Sequence, residues 1–325
     1  MELKAVVTDY SFPNLAEESR ILAPLGFKLV TGQCKTTAEV IALCHDADAI
    51  LNQFAPIDRA VIASLKKCKM IVRYGIGVDN VDVQAASEAN ILVVNIPDYG
   101  IQEVADHTIS LMLALIRKIP QIDQQVRNGI WENAPFKPTM GLKDKQIGLL
   151  GFGNIAREVA KRAQSFNMNV SAFDPYQEDR LFQEAGVTRK SSDDLLMESD
   201  VVCVHLPLNE DTQYFIRTET LALMKESSYL INTSRGGVVD TMALVAALTA
   251  GKIAGAALDV LEEEPIPSGH PILQAPHCLL TSHVAWYSED SLFRLQQFAA
   301  MEIYRFFTQS SPKHIVNAKE VRIQF

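Results

Sequence analysis

Short runs of β-branched and aliphatic residues alternate with segments of helical spacing along most of the chain. In the first third these runs lie at 6–7, 28–30, 49–51, 71–72 and 92–94. A second series lies at 146–150, 170–173, 201–206, 229–232 and 254–258. Strands that alternate with helices along a sequence pair in parallel, with helices on both faces of the sheet. The order therefore predicts an α/β fold with two doubly wound parallel-sheet domains.

Two long helical patterns indicate how the two series divide the chain. The first, at about 101–119, separates the series and carries apolar residues at helical spacing, among them Val104 and Met112. The second, at 289–307, follows the last run, so we expect it to return to the first series. The predicted first domain is then discontinuous, 1–98 plus 291–325, and the second domain is inserted at 99–290.

Charge and cysteine content exclude several classes of protein. The chain has 30 Lys and Arg against 39 Asp and Glu, a net charge of −9, and no basic cluster that would bind nucleic acid. Its five cysteines form an odd number without C-x-x-C spacing, which favours a reducing, cytoplasmic location. The run at 111–116 is too short to cross a membrane. The late histidines match no metal-ligand spacing, so no metal is expected.

A glycine motif opens the second series. The run ending at 150 leads into Gly-x-Gly-x-x-Ala, with Gly151, Gly153 and Ala156 at the fixed positions and Asn154 and Ile155 between them. A helical pattern follows at 157–164. The first glycine allows a tight turn, the second lets a pyrophosphate approach, and the helix N-terminus binds the phosphates. The second domain is therefore predicted to be a Rossmann-type nucleotide domain.

The residue that ends the next strand indicates which nucleotide binds. Asp174 lies 18 residues after Ala156 (174 − 156), where a carboxylate bonds the ribose hydroxyls of NAD and repels a 2′-phosphate. The next four residues, 175–178, contain no arginine that would accept that phosphate. The sequence thus favours NAD over NADP.

Three later segments, 232–237, 259–265 and 281–286, follow predicted strands at the edge where ligands bind in such sheets. They contain Arg235, the run Glu262 to Glu264, and His283. A guanidinium can bind the carboxylate or keto oxygen of a 2-oxo acid, a histidine can exchange a proton with that oxygen, and a carboxylate can stabilise the protonated histidine. These groups suffice for hydride transfer to a ketone, although the residues alone leave open which glutamate takes part.

The assembled motifs resemble the D-isomer-specific 2-hydroxyacid dehydrogenase family. The resemblance extends over nearly the whole chain and includes the loop 73–80 and the helix start 104–108. It implies a flavodoxin-like substrate domain beside the Rossmann-type domain, and an NAD-dependent enzyme acting on small 2-oxo or D-2-hydroxy acids. In the family, Arg235 would bind substrate, His283 would be the general acid and base, and Glu264, which precedes Pro265, would orient His283.

The family also implies further contacts. The loop around Tyr74, Gly75, Ile76 and Gly77 would hold the substrate carboxylate with backbone N–H groups. Cofactor contacts would come from Thr108, His205, Pro207, Thr233, Asp259 and Ala285.

The physiological substrate and role stay open. Phosphoglycerate dehydrogenase is one alternative, but only Arg73 is plainly placed to bind a phosphate. Phe54 and Trp286 would instead form an apolar wall for the substrate. A second alternative is an NAD-sensing binding module, because segment 282–289 is similar to the C-terminal binding protein corepressors. The aromatic, Pro-rich arm 129–138 predicts a homodimer.

Overall fold

The computed structural model describes residues 3–321. The chain divides into two compact units, one of Met1–Gly100 with Ser288–Phe325 and one of Ile101–Tyr287. These bounds differ from the predicted ones by two residues at the first junction and three at the second. The first two and last four residues of the predicted substrate domain lie outside the described residues.

The first unit is built on a five-stranded parallel sheet in the order β2-β1-β3-β4-β5. Side-chain caps start three of its helices: Thr36, Asp58 and Asp82 each accept a hydrogen bond from a backbone N–H of the first turn. Its elements are β1 (Leu3–Val7), α1 (Ala16–Leu22), β2 (Phe27–Thr31), α2 (Thr37–Cys44), β3 (Ala49–Asn52), α3 (Arg59–Ser64), β4 (Met70–Arg73), α4 (Val83–Glu88) and β5 (Leu92–Val94).

The second unit contains a seven-stranded parallel sheet in the order β12-β11-β10-β9-β6-β7-β8. Three of its strands, β9, β10 and β11, are fully buried, as expected when helices cover both faces of a sheet. Its elements are α5 (Ile101–Ile116), α6 (Ile119–Arg127), β6 (Gln146–Leu150), α7 (Asn154–Ser165), β7 (Asn169–Phe173), α8 (Asp179–Glu184), β8 (Thr188–Arg189), α9 (Ser192–Glu198), β9 (Val201–Val204), α10 (Thr218–Leu221), β10 (Tyr229–Asn232), α11 (Thr241–Thr249), β11 (Gly255–Leu258) and β12 (Cys278–Leu280).

The long helix α12 (Glu289–Phe307) belongs to the first unit. It begins at a cap formed by Ser288, whose side chain accepts from the Ser291 N–H. Gln296 lies on its buried face and donates to the Glu18 carboxyl of α1 at 3.1 Å. The chain therefore returns to the first sheet after completing the second.

One predicted helix is interrupted. The expected continuous helix at 101–119 ends at Ile116, and α6 begins at Ile119. Lys118 between them has a left-handed φ of 55°, and Pro120 occupies the first turn of α6, where a missing N–H costs nothing. No helix among residues 3–321 is both long and apolar enough to cross a bilayer.

Candidate active site

The glycine turn after β6 has the geometry that a dinucleotide requires. Gly151 has a φ of 90°, and a Cβ there would lie 2.6 Å from the carbonyl oxygen of His205. Only glycine fits this close approach of two chain segments. Gly153 caps α7, and a Cβ at Gly153 would meet no atom within 4 Å. Open space thus lies at a helix N-terminus, which suits a pyrophosphate.

The helix after this turn starts earlier than the sequence pattern indicates. It begins at Asn154 and not at residue 157, so Asn154 and Ile155 lie in its first turn. Their backbone N–H groups are among those that a helix leaves without an intrahelical acceptor. The early start therefore adds donors at the phosphate end of the turn.

Asp174 directly follows β7 and lies beside the glycine turn. Its Oδ2 accepts from the Phe152 N–H at 2.8 Å, and its Oδ1 accepts from the Tyr176 N–H at 2.9 Å. Two backbone donors fix the carboxylate at the position where a ribose is expected. Arg189, on the unpredicted strand β8, donates from Nη2 to the Asp174 carbonyl oxygen at 3.0 Å. The sequence pattern did not indicate this arginine, because it lies 15 residues after Asp174 and outside the segment 175–178.

The loop after β9 carries His205 and Pro207. The His205 N–H donates to Leu150 O at 2.7 Å, which joins this loop to the end of β6. Burial lowers the pKa of the imidazole to about 4, so His205 is neutral near pH 7. Its Nε2 is buried and has no hydrogen-bond partner among the described residues. The Pro207 carbonyl accepts from Thr212 Oγ1 at 2.6 Å, which closes the loop.

His283 stands in a turn that Asp259 organises. It has a φ of 54°, a left-handed conformation that is unfavourable for a residue with a Cβ. The Asp259 carbonyl accepts from the His283 N–H at 2.8 Å, while its carboxylate accepts from the Val284 and Ala285 N–H groups at 3.0 and 2.9 Å. Asp259 is 2% exposed. The buried aspartate thus holds the turn that presents His283.

Glu264 lies against the imidazole of His283. Its Oε2 is 2.7 Å from His283 Nδ1, and its Oε1 accepts from the Leu261 N–H at 2.9 Å. Burial acts to raise the pKa of Glu264, but these two hydrogen bonds and the charge of Arg235 outweigh it and hold the pKa below its usual value. An ionised carboxylate only accepts, so Nδ1 carries the proton and Nε2 is left for proton exchange.

Glu262 takes part in a different contact. Its Oε1 lies 3.4 Å from the Thr241 N–H, at the start of α11. Of the three neighbouring glutamates, Glu264 is the one that the structure brings to His283.

Arg235 lies in the loop after β10. The buried Asn232 stabilises this loop by donating from Nδ2 to the Arg235 carbonyl at 3.0 Å and accepting from the Ser234 N–H at 3.0 Å. A Cβ at Gly236 would lie 1.9 Å from the carbonyl carbon of Leu261, so the loop needs glycine to approach the segment before Glu264. This approach brings the positive charge of Arg235 near Glu264.

The other expected cofactor contacts form small clusters in the same unit. Thr108 and Thr233 are buried, and their hydroxyl oxygens are 2.8 Å apart. His107 was not predicted as a site residue. Its Nε2 is 3.1 Å from Thr281 Oγ1, which donates to Asp259 at 2.5 Å. His107 therefore supports the turn of His283 from α5.

Trp286 follows His283 in the same turn and is half-buried. Its ring meets that of Tyr287 edge-on, with the centroids 5.6 Å apart.

In the first unit, the loop after β4 carries Tyr74, Gly75, Ile76 and Gly77. The Gly75 N–H donates to Arg73 O at 2.9 Å, so this amide is used inside the loop. Of the glycine-loop N–H groups that are expected to bind the substrate carboxylate, those of Ile76 and Gly77 therefore remain as candidates. The Tyr74 hydroxyl donates to the buried Glu18 carboxyl at 2.8 Å, which fixes the start of the loop.

Phe54 follows β3 and is 58% exposed. Its N–H donates to Asp9 Oδ2 at 2.6 Å, which orders the loop. The ring borders a cavity of about 410 Å³ in the first unit. The residues that line it include the polar or charged Asp9, Gln33 and Lys35 as well as the apolar Phe54 and Ala55. Lys35 is a cation at the same cavity as Phe54 that the sequence did not indicate.

Comparisons with known proteins identify the family. Residues 109–285 match the model of the D-isomer specific 2-hydroxyacid dehydrogenase NAD binding domain. A glyoxylate reductase of Korarchaeum cryptofilum is 36% identical over 290 residues, covering 88% of this chain and 87% of the relative. The chain belongs to the D-isomer specific 2-hydroxyacid dehydrogenase family, and its second unit is an NAD-binding domain.

Two further comparisons give another related sequence and a similar solved structure. A D-3-phosphoglycerate dehydrogenase of Methanocaldococcus jannaschii is 35% identical over 98% of this chain, but the chain spans only 60% of that relative's length. The structure of D-lactate dehydrogenase from Aquifex aeolicus, complexed with NAD and lactic acid, superposes with a TM-score of 0.87 at 27% identity. That match covers 96% of this chain and 98% of the other.

Proposed function

We propose that this protein is an NAD-dependent D-2-hydroxyacid dehydrogenase that interconverts small 2-oxo acids and D-2-hydroxy acids. The observation that carries the proposal is the hydrogen bond of 2.7 Å between His283 Nδ1 and the ionised Glu264. An imidazole held in this way is suited to general acid–base catalysis. An NAD-sensing binding module would need no such pair, and Arg235 is present as well.

Each group has a definite role in the reduction of a 2-oxo acid. Arg235 binds the substrate carboxylate and polarises the keto oxygen, because a guanidinium can fork between the two. NADH supplies the hydride when bound at the glycine turn. As the carbonyl carbon gains the hydride, the oxygen takes the proton from His283 Nε2 and becomes a hydroxyl. Glu264 stabilises the imidazolium before this step.

Replacing His283 by Ala removes the proton donor. We expect kcat for 2-oxo acid reduction to fall by a factor on the order of 10² to 10⁴. NADH binding, measured by calorimetric titration, should persist because the glycine turn is unchanged. The exposed His45 of the first unit gives a matched control, and His45→Ala should retain the original kcat. A near-normal kcat in His283→Ala would mean that another group donates the proton.

Two features bear on substrate choice and favour different acids. Trp286, a half-buried aromatic residue in the segment that follows His283, favours an apolar substituent. Lys35, in the cavity beside Phe54, favours an anionic one and supports phosphoglycerate dehydrogenase as the alternative activity. We propose the first, because Trp286 is only three residues from the proton donor (286 − 283).

A substrate panel distinguishes these alternatives. Pyruvate, glyoxylate, longer unphosphorylated 2-oxo acids and phosphohydroxypyruvate are compared by kcat/KM with NADH. We expect acids with short apolar or thioether side chains to exceed phosphohydroxypyruvate, and Trp286→Ala to reduce the difference. A methylene group in an apolar pocket is worth roughly 1 to 3 kcal/mol, which sets the size of the preference.

Lys35→Ala is the variant that tests the alternative activity. If phosphohydroxypyruvate is the best substrate and Lys35→Ala abolishes that preference, the phosphoglycerate dehydrogenase activity is the correct one.

We also propose a homodimer formed through α6 and the arm that follows it. Ile119, Ile122 and Val126 lie on one face of α6 and are 37% to 56% exposed, and Trp131 is 87% exposed. The arm is ordered although its aromatic ring is exposed, because Lys118 Nζ donates to the carbonyls of Phe136 and Pro138. Exposed apolar side chains of this size suit contact with a second copy of the chain.

Replacing Trp131 by Asp should split the dimer. A charge at the centre of an apolar interface is costly, so sedimentation at micromolar concentration should show a dimer for the original chain and a monomer for the variant. Tyr176→Asp, which changes a similarly exposed aromatic residue away from α6, should stay dimeric. A monomeric original chain, or a dimeric Trp131→Asp variant, would contradict the proposal.

We further propose a cytoplasmic location. All five cysteines are unpaired, and burial raises the pKa of four of them, Cys44, Cys68, Cys203 and Cys278, to about 12, an arrangement that suits a reducing compartment. Recovery of the protein in a secreted fraction would refute this location.

A further inference from the structure

Arg189 lies beside the expected ribose site, and the roles assigned above do not use it. Its Nη2 donates to the backbone carbonyl of Asp174 at 3.0 Å, so the guanidinium contacts the residue whose carboxylate is expected to select NAD. Strand β8, which pairs with β7, carries Arg189 to this position. The side chain is 39% exposed and is therefore accessible to a ligand.

Stacked aromatic rings hold the guanidinium next to the glycine turn. The Arg189 Cζ lies 5.1 Å from the centroid of the Phe182 ring, and Phe182 stacks on Phe152 with 4.5 Å between the centroids. Phe152 directly follows Gly151 and is fully buried. A cation over an aromatic face is stabilised by the ring quadrupole. The guanidinium of Arg189 is thus positioned by two stacked rings, one of which belongs to the nucleotide turn.

Asp179 is bound to the same guanidinium. Arg189 Nη1 forms an ion pair with Asp179 Oδ1, and Asp179 is the first residue of α8. Because Asp179 is 71% exposed, solvent screens this pair and another anion can compete for the guanidinium. Arginine stays charged at all working pH values and binds phosphate through two donors.

We propose that Arg189 is a cofactor-specificity residue that contacts a 2′-phosphate, and that Asp179 limits this contact. Two carboxylates then oppose NADP(H) by different means. Asp174 repels the 2′-phosphate directly, whereas Asp179 occupies the cation that would otherwise bind it. This inference rests on nucleotide binding at the glycine turn, and it deepens the proposed function by assigning cofactor choice to a pair outside the expected ribose contact.

The test compares two variants that each remove one negative charge from α8. Asp179→Asn frees Arg189, whereas Glu184→Gln frees Arg180, its partner on the same helix at 3.5 Å. Dissociation constants for NADH and NADPH are measured by calorimetric titration with the full chain. We expect Asp179→Asn to tighten NADPH binding by roughly two- to fivefold, the range of an exposed charge pair, and to change NADH binding by less than about twofold. Glu184→Gln should change neither by that much.

Two double variants show whether the tighter NADPH binding depends on Arg189. Asp179→Asn with Arg189→Gln should return NADPH binding to the original value. Asp174→Ser should tighten NADPH binding, and Asp174→Ser with Arg189→Gln should lose most of that gain. The second pair tests the contact in case Asp179→Asn disturbs α8. In each case the gain should shrink when salt is raised from about 0.05 to 0.5 M.

Several outcomes would overturn the inference. Equal NADPH gains in Asp179→Asn and Glu184→Gln would indicate a general effect of net charge. Gains that persist after Arg189→Gln in both backgrounds would exclude a contact with Arg189. Absence of NADH binding by the original chain would be a different result, because it would refute nucleotide binding and with it the proposed function.

Discussion

The hydrogen bond between Glu264 and His283 is the interaction on which the candidate catalytic site depends. It fixes the imidazole tautomer and leaves Nε2 for proton exchange. Neither partner lies in a regular element, since Glu264 precedes Pro265 in a loop and His283 has a left-handed backbone. Their meeting therefore depends on buried groups around them. Asp259 holds the turn of His283, and the missing Cβ of Gly236 lets the Arg235 loop approach Leu261.

The nucleotide turn also depends on a glycine that allows close approach and on an aspartate that is hydrogen-bonded to the backbone. Gly151 allows the His205 carbonyl to pass at a distance that a side chain would block, and two backbone N–H groups fix the Asp174 carboxylate. At the catalytic loops and at the nucleotide turn, a glycine lets two chain segments approach closely. A buried or hydrogen-bonded aspartate then holds a backbone turn nearby. Mutations at such positions act on geometry, so their effects extend to side chains that they do not touch.

The sequence predicts the sheets well because their strands are buried runs with clear spacing between them. For example, the run at 146–150 becomes β6, with the same bounds in the structure. The break at Lys118 was missed because a left-handed residue leaves no mark in an apolar periodicity. Strand β8 was missed because it has two exposed residues, which show no hydrophobic pattern.

Some residues of the candidate site could likewise be predicted from the sequence, and others could not. Motifs with fixed local spacing, such as the glycine turn, could be found from the sequence, and the contact of Glu264 with His283 was expected only through the family resemblance. Arg189 and His107 were missed because their partners lie 15 and 174 residues away, at Asp174 and Thr281. The bond that uses the Gly75 amide depends on backbone angles that the sequence does not specify.

The pH dependence of kcat for 2-oxo acid reduction tests the central claim most directly. If Glu264 stabilises the imidazolium of His283, Glu264→Gln should move the alkaline limb of the profile to lower pH, because the protonated donor loses its negative partner. Both side chains are partly exposed, so solvent screening limits the size of this shift. Glu262→Gln and Glu263→Gln should keep the original profile. An unchanged profile in Glu264→Gln, or an equal shift in either neighbour, would contradict the account.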